Sequence, residues 1–238
     1  MAHLLDALAR YHDSASLKFL AADTGLHPST AHRILASLAE QGFVERTDSG
    51  DYRLGRKLAE LGCRVNARLD VRQEARSVME RLRDRLGETV NLTVREGDQV
   101  VYVERAIANR MMRVEQVIGS RAPLHVTAVG KLMLATGGDD EIADYARRTG
   151  LPRYTPHTLA SLETLTREAR RAMERGYALD NEEAEIGVGC IGALIRDASG
   201  EVVAGLSVSA PIERRRDDWI PLVQEAAAEI SRRLGYDA

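Results

Sequence analysis

Residues 187 to 192 are GVGCIG, which matches the G-x-G-x-x-G pattern of dinucleotide-binding proteins. That pattern holds a pyrophosphate only when a strand precedes it, a helix follows it, and an acidic residue about 20 positions later binds the ribose. Here the acidic segment DNEEAEI precedes the motif, the β-rich segment ALIRD follows it, and SVSAPIE offers no well-placed carboxylate. We therefore expect Gly187, Gly189 and Gly192 to let the chain bend and to let another group, such as a small ligand, approach its backbone closely.

Cys190 inside this motif is a candidate nucleophile, with His125 as its base and Asp180 as the group that orients the base. Such a set would perform acyl transfer or hydrolysis. No motif spacing joins the three residues, and no evident helix lies behind Cys190 to supply an oxyanion hole. A cysteine in an apolar run is more often a small buried side chain, and we interpret His125 as structural. A cysteine-dependent enzyme is the alternative hypothesis.

The segment HVTAVGK offers a different chemistry, because Thr127 stands at a helix N-cap position and small residues follow it. The first N–H groups of such a helix can hold a carboxylate without a basic side chain. Ser207 and Ser209 are two apart on a predicted strand, so their hydroxyls point to the same side, and Cys190 lies on the partner strand. These groups suit a small organic acid, including an aromatic one.

Structural alternatives exist for the same residues. Asp180 could cap a loop, since aspartate readily caps and turns. Ser207 and Ser209 could satisfy neighbouring backbone groups. The acidic run 180–185 is interpreted most simply as a solvated loop.

The N-terminal segments predict a winged helix-turn-helix. Apolar residues recur at helical spacing over 4–11, 17–24 and 28–41, with Gly25 as a helix stop and Pro28 in a first helical turn. The segments FVERT and DYRLG then flank the turn DSG as a β-hairpin.

The polar face of the third predicted helix suits the major groove of double-stranded DNA. Arg33 could reach a guanine edge or a phosphate, and hairpin arginines could contact the neighbouring backbone. The predicted DNA-binding residues are Ser29, Thr30, His32, Arg33, Ser37, Arg46 and Arg53. Residues 1 to 65 contain eight Lys/Arg and eight Asp/Glu, so one copy should bind modestly and we expect a dimer. A winged helix used only for protein contact is the other possibility.

The rest of the chain predicts an α+β domain. A linker helix is predicted over 56–69 and an amphipathic helix over 71–87. Three β-rich runs follow, namely TVNLTV, QVVYVERA and MRVEQVI, and then helical patterns at 127–136, 139–148 and 161–175. A strand YALD, a hairpin of IGALIRD and EVVAGLSVS, and a closing helix over 219–234 complete the pattern.

Composition narrows the class of protein. The 238 residues carry a net charge of -3, which excludes a uniformly basic, histone-like protein but permits DNA binding through a local face. Cys63 and Cys190 are far apart, so neither a disulfide framework nor a metal cluster is expected. No stretch approaches the roughly 20 apolar residues of a membrane span. We expect a cytoplasmic protein without a cofactor or a membrane partner.

Several segments resemble, in the same order, those of the IclR family of bacterial transcription regulators. They are GLHPSTAHRILASLAEQGFVER with YRLG, GSRAPLHVTAVGKLMLA, GYALDNEEAEIGVGCIGALIRD and GEVVAGLSVSAP. The resemblance covers nearly the whole chain. One departure is that the chain starts close to its first predicted helix, which puts contacts from an N-terminal arm in doubt.

The resemblance implies a winged helix-turn-helix over 1–55, a linker helix over 56–69 and a GAF-like (profilin-like) effector-binding and oligomerisation domain over 70–238. It implies homodimers, or pairs of dimers, on operator DNA, and an effector that controls a catabolic or metabolic operon by repression or activation. It places the effector at Thr127, Ala128, Gly130, Asp180, Cys190, Ser207 and Ser209.

Overall fold

The computed structural model describes residues 2–11, 13–66 and 70–237 and divides the chain into two compact units, residues 1–68 and 69–238. The elements of the first unit are α1 (Ala2–Ala9), α2 (Leu17–Thr24), α3 (Pro28–Glu40), β1 (Val44–Arg46), β2 (Tyr52–Leu54) and α4 (Arg56–Asn66). This order confirms the predicted winged helix-turn-helix. Helix α4 occupies residues 56–66 of the predicted linker helix, and residues 67–69 of that prediction lie outside the described residues.

Local signals fix the ends of α2 and α3. The Ser16 side chain accepts a hydrogen bond from the Phe19 N–H over 3.4 Å, and Gly25 ends α2 at a φ of 65°, which glycine adopts without steric cost. Pro28 occupies the first turn of α3. The apolar faces of the helices and the hairpin meet in one core, formed by Leu4, Leu8, Leu20, Ala31, Leu35, Leu38, Val44 and Tyr52. The polar face of α3 is therefore left at the surface of this unit.

The second unit is an antiparallel sheet covered by helices on both faces, as predicted. Its helices are α5 (Val71–Leu86), α6 (Ala128–Thr136), α7 (Gly138–Thr149), α8 (Leu162–Arg175) and α9 (Ile220–Arg233). Its strands are β3 (Thr89–Glu96), β4 (Gln99–Ala106), β5 (Arg121–Pro123), β6 (Ala178–Asn181), β7 (Val188–Arg196) and β8 (Val202–Pro211), in the sheet order β5-β4-β3-β8-β7-β6.

Three apolar clusters lie between the sheet and the helices of this unit. Helices α5 and α9 pack on one face of the sheet, and α6, α7 and α8 pack on the other. The sheet face under α6 also carries the polar residues of the candidate site, because alternate residues of a strand point to one side. Among the described residues, the helices lack the length and apolar character needed to cross a bilayer.

The glycines of GVGCIG serve the packing of the chain itself, which confirms the expected bend and close approach. Gly187 has a φ of 85°, and β7 starts at the next residue. A Cβ atom at Gly192 would lie 2.8 Å from Cγ1 of Val129 and 3.0 Å from its backbone nitrogen, and one at Gly189 would lie 2.6 Å from the Ile212 side chain. Gly192 therefore lets the first turn of α6 rest directly on the sheet.

We expect Gly192→Ala to destabilise the second unit by about 1–3 kcal/mol, because the added methyl group overlaps Val129 and the neighbouring backbone cannot yield freely. Thermal unfolding followed by circular dichroism measures the loss. A second substitution in the same chain, Val129→Ala, removes the Cγ1 atom and should restore part of the lost stability. If Gly192→Ala leaves the unfolding midpoint unchanged, this close approach of α6 is not a constraint.

The predicted strand over 112–118 is wrong, because these described residues form an irregular segment beside the sheet. Residues 113–117 all line a cleft, with Val114 and Gln116 half-buried and Glu115 exposed. Arg105 holds the segment, since its guanidinium donates to the Gln116 carbonyl oxygen and lies 3.0 Å from the Glu115 carboxylate. The short strand β5 pairs with β4 instead.

Candidate functional site

The face of α3 opposite its buried stripe carries the polar residues singled out in the sequence. Ser29, His32 and Arg33 are exposed, whereas Thr30 and Ser37 are half-buried at the edges of the face. The Ser29 hydroxyl lies 2.8 Å from Nδ1 of His27, the residue that precedes the helix. Hydroxyl, imidazole and guanidinium groups on one exposed helix face are the groups that contact base edges and phosphates.

The two hairpin arginines already have protein partners. Arg53 on β2 donates to the Glu45 carboxylate of β1 from Nε over 3.0 Å and from Nη2 over 2.8 Å. Arg46 is exposed, donates to the Gly50 carbonyl oxygen over 3.3 Å, and places its guanidinium carbon 5.9 Å from the Tyr52 ring centre. A phosphate contact by Arg53 must therefore share or displace Glu45.

A cleft of about 510 Å³ lies between the start of α6, the polar side of the sheet and the segment 113–117. Five of the seven predicted effector-binding residues line it, namely Thr127, Ala128, Asp180, Cys190 and Ser207. The other two, Gly130 and Ser209, lie outside the lining. A Cβ atom on Gly130 would lie 2.3 Å from the Leu124 carbonyl oxygen, so this glycine allows a tight turn before α6.

The start of α6 can receive an anion. Thr127 is its N-cap, and the Thr127 hydroxyl accepts the Gly130 N–H over 3.1 Å. This leaves the N–H groups of Ala128 and Val129, which have no partner inside the helix, on residues that line the cleft. The helix dipole adds to their attraction for a negative charge.

Asp180 both caps a loop and lines the cleft. It stands opposite Cys190 in the β6–β7 ladder, and 3% of its surface is exposed. Its Oδ1 accepts the Glu183 N–H over 2.8 Å. Burial raises the pKa of Asp180 to about 6, because the charged carboxylate loses its water there.

We expect Asp180→Asn to raise the free energy of unfolding by about 3 kcal/mol at pH 7.5 and by about half as much at pH 5. The folded chain keeps the Asp180 proton to about pH 6, whereas an exposed aspartate in the unfolded chain loses it near 3.8, so the native protein loses stability as pH rises between these values. Asparagine stays neutral and can still accept the Glu183 N–H.

Urea unfolding at the two pH values measures this difference. Asp197→Asn is the matched control with the opposite sign, because a hydrogen bond from Ser199 lowers the pKa of Asp197 and its charge stabilises the fold at neutral pH. A gain from Asp180→Asn that is as large at pH 5 as at pH 7.5 would show that Asp180 ionises normally.

The candidate catalytic triad does not assemble. Both ring nitrogens of His125 have other partners, with Nδ1 2.7 Å from the Tyr145 hydroxyl and Nε2 3.0 Å from the Pro152 carbonyl oxygen. This confirms His125 as a structural residue, and burial lowers its pKa. The Cys190 thiol lies 3.2 Å from the Ser209 hydroxyl, and burial raises the pKa of Cys190, which disfavours the thiolate.

A buried ion pair joins α6 to the loop that follows β6, next to the cleft. Nζ of Lys131, on α6, contacts the Glu183 carboxylate and donates to the Leu179 carbonyl oxygen over 2.6 Å. The expectation of a solvated loop over 180–185 is therefore wrong for Asp180 and Glu183, which are both buried. Thr158 donates to the Glu183 carbonyl oxygen over 2.7 Å and holds the loop from its other side.

Sequence patterns missed one side of the cleft. Tyr102 of β4 and the segment 113–117 line it, whereas the sequence predicts a strand for this segment and no motif marks the tyrosine. Asn91 of β3 joins this side to the serines, because its Nδ2 donates to Oε1 of Gln116 and to the Ser209 hydroxyl, each over 3.1 Å. The only signal was the β-rich composition of MRVEQVI.

A winged helix-turn-helix with an open polar face, together with a separate sheet domain that contains a cleft, defines a transcription regulator with an effector-binding domain. Two family models match the chain: "IclR helix-turn-helix domain" over residues 2–48 and "Bacterial transcriptional regulator IclR C-terminal" over residues 63–232. The chain therefore belongs to the IclR family of bacterial transcription regulators, as the resemblance predicted.

Relatives agree along most of the chain. The HTH-type transcriptional regulator XynR of Escherichia coli is 36% identical over 219 residues, which are 90% of this chain and 87% of XynR. The crystal structure of Thermotoga maritima IclR is 33% identical, with a TM-score of 0.66, and the match covers 99% of this chain and 97% of that one. An IclR homologue from Microbacterium hydrocarbonoxydans, solved with 4-hydroxybenzoate, is 27% identical with a TM-score of 0.64 over 98% and 96%.

Proposed function

We propose that this protein is a ligand-responsive regulator of a catabolic or metabolic operon, whose third helix binds double-stranded operator DNA. The observation that carries the proposal is the exposed polar face of α3, where Ser29, His32 and Arg33 stand together opposite a buried apolar stripe. Thr30 and Ser37 extend this face, and Arg46 and Arg53 flank it on the hairpin. A regulator of this kind acts in the cytoplasm, where its operator lies.

The proposed effector is a small organic acid held in the cleft. The N–H groups of Ala128 and Val129 supply an anion site at the start of α6, while the two arginines of the cleft lining, Arg113 and Arg121, already contact the carboxylates of Glu115 and Glu96. Asp180, Cys190 and Ser207 supply further polar contacts, while Thr127, Gly130 and Ser209 shape the site. The 4-hydroxybenzoate bound by the Microbacterium homologue supports an aromatic acid as one such effector.

The proposed active form is a homodimer or a pair of dimers. Residues 1–65 carry no net charge, so two α3 helices on half-sites about one DNA turn apart are needed for tight binding. We assign 1–55 to DNA binding, 56–69 to the linker helix and 70–238 to effector binding and oligomerisation. The effector would favour one arrangement of the assembly and so change the fit of the two helices to DNA. No catalytic step, cofactor or metal enters this function.

Footprinting of the full chain on DNA upstream of its own gene and of neighbouring operons tests the proposal. At low salt we expect one protected site, whose affinity changes when benzoate, 4-hydroxybenzoate or another small acid is added. Affinity should fall steeply as salt rises, because phosphate contacts release counterions. Absence of a footprint at low salt with every acid in the series would overturn the proposal.

A further inference from the structure

Tyr102 is held firmly at the cleft. It pairs with Thr93 in the β3–β4 ladder, its N–H donates to the Ser120 carbonyl oxygen over 3.1 Å, and its carbonyl oxygen accepts the Gly119 N–H over 2.7 Å. Its side chain packs against the apolar cluster that contains Val129 and also lines the cleft. The ring is thus placed before any ligand arrives, which lowers the entropic cost of a contact.

The Tyr102 hydroxyl makes no hydrogen bond with any group in the part of the chain that the structure describes. Elsewhere in the same domain, the buried Tyr145 hydroxyl lies 2.7 Å from His125. Tyr102 is half-buried, and the burial of its ring raises its pKa, so the hydroxyl stays protonated as a donor. A donor without a partner in a cleft is available to a ligand.

The surroundings of Tyr102 suit a flat apolar body. Among the described residues that line the cleft, Tyr102 is the one aromatic side chain, and Val114, Val129 and Val188 contribute apolar surface. Tyr102, Ala128 and Val129 line the same cleft, so an acid whose carboxylate meets the N–H groups at the start of α6 has its remaining atoms in a space that Tyr102 also borders. A volume of about 510 Å³ exceeds what a two- or three-carbon acid needs and lies within the range for ring-sized ligands.

We propose that Tyr102 makes the cleft selective for planar aromatic acids over saturated-ring acids of the same size and charge. The inference rests on the proposed function of the cleft as the effector site. Aromatic pairs gain from offset-stacked or edge-to-face contact beyond the area they bury, and a saturated ring buries similar area without that contact. Benzoate should therefore bind about 2- to 12-fold more tightly than cyclohexanecarboxylate.

Calorimetric titration of the full chain at pH 7.5, where both acids are anionic, measures the ratio of the two affinities. Tyr102→Phe keeps the ring and removes the hydroxyl, so the affinities for both acids should fall by the same factor and the ratio of the two affinities should persist. Tyr102→Leu keeps apolar bulk and removes the ring, so the affinity for benzoate should fall until the ratio of the two affinities approaches one. The affinity for cyclohexanecarboxylate should change little. Thermal unfolding of each variant checks that it is folded.

The outcomes separate the two proposals. Equal binding of both acids by the unchanged protein overturns the role of Tyr102 and leaves the effector site standing, as does an unchanged ratio in Tyr102→Leu. Binding of neither acid, with no effect of either on a footprint, overturns the aromatic-acid class for the cleft and this inference with it. The affinities of the unchanged protein for the two acids are enough to overturn the inference, so the test holds even if a variant folds poorly.

Discussion

Arg33→Ala is expected to weaken operator binding by at least about 30-fold. A side chain that contacts a guanine edge in two places contributes about 1–3 kcal/mol, and a dimer loses two copies of it, so the total is about 2–6 kcal/mol. The residue is exposed on α3, one turn after Ser29, where both a base edge and a phosphate are within reach of a long side chain. Fluorescence anisotropy with labelled operator DNA measures the loss.

The comparison of two DNA sequences shows which contact Arg33 makes. A base contact predicts a large loss on the operator and a small one on unrelated DNA, whereas a phosphate contact predicts equal losses and a shallower salt dependence. Arg10→Ala removes the same charge from an exposed position just after α1 and serves as the matched control. Equal effects of Arg10→Ala and Arg33→Ala would mean that only the net charge of the unit matters.

The DNA-binding unit was predictable because its signals are local. Gly25 and Pro28 mark the end of one helix and the start of the next, and the apolar stripe through Leu35 sets which side of α3 faces outwards. Each of these is decided within a few residues of chain. What the sequence could not show is that Arg53 pairs with Glu45, since side-chain conformations on a hairpin depend on the register of its strands.

In the candidate site, the sequence predicted only the side formed by the start of α6 and by the hairpin of β7 and β8. The N-cap role of Thr127 and the shared strand of Ser207 and Ser209 follow from spacing. The prediction for the segment 113–117 was wrong because β-branched residues such as Val114 and Val117 favour strands, whereas here both line a cleft in an irregular segment. The burial of Glu183 depends on Lys131, which lies far away in the chain, so an acidic run appeared solvated.

Lys131→Met is expected to destabilise the second unit by about 3–5 kcal/mol, since removal of one partner leaves the other charge buried and unpaired. Lys131 is 0% exposed and Glu183 is 3% exposed, and Oε2 of Glu183 already has no hydrogen-bond partner among the described residues. Burial raises the pKa of Glu183 and Lys131 opposes that rise. Without the lysine, Glu183 should take up a proton more readily, so the loss should be smaller at low pH.

Lys131→Met combined with Glu183→Leu should recover most of the lost stability, because replacing both charges by apolar side chains removes the cost of burying either one. Urea unfolding of the two variants and of Glu183→Leu alone completes a double-mutant cycle. The double variant should nevertheless bind an acid effector less tightly, although it folds well. It lacks the hydrogen bond from Lys131 to the Leu179 carbonyl oxygen, which connects α6 to the sheet. If the free energy of unfolding of Lys131→Met alone lies within about 1 kcal/mol of that of the unchanged protein, water or protonation of Glu183 compensates for the missing lysine.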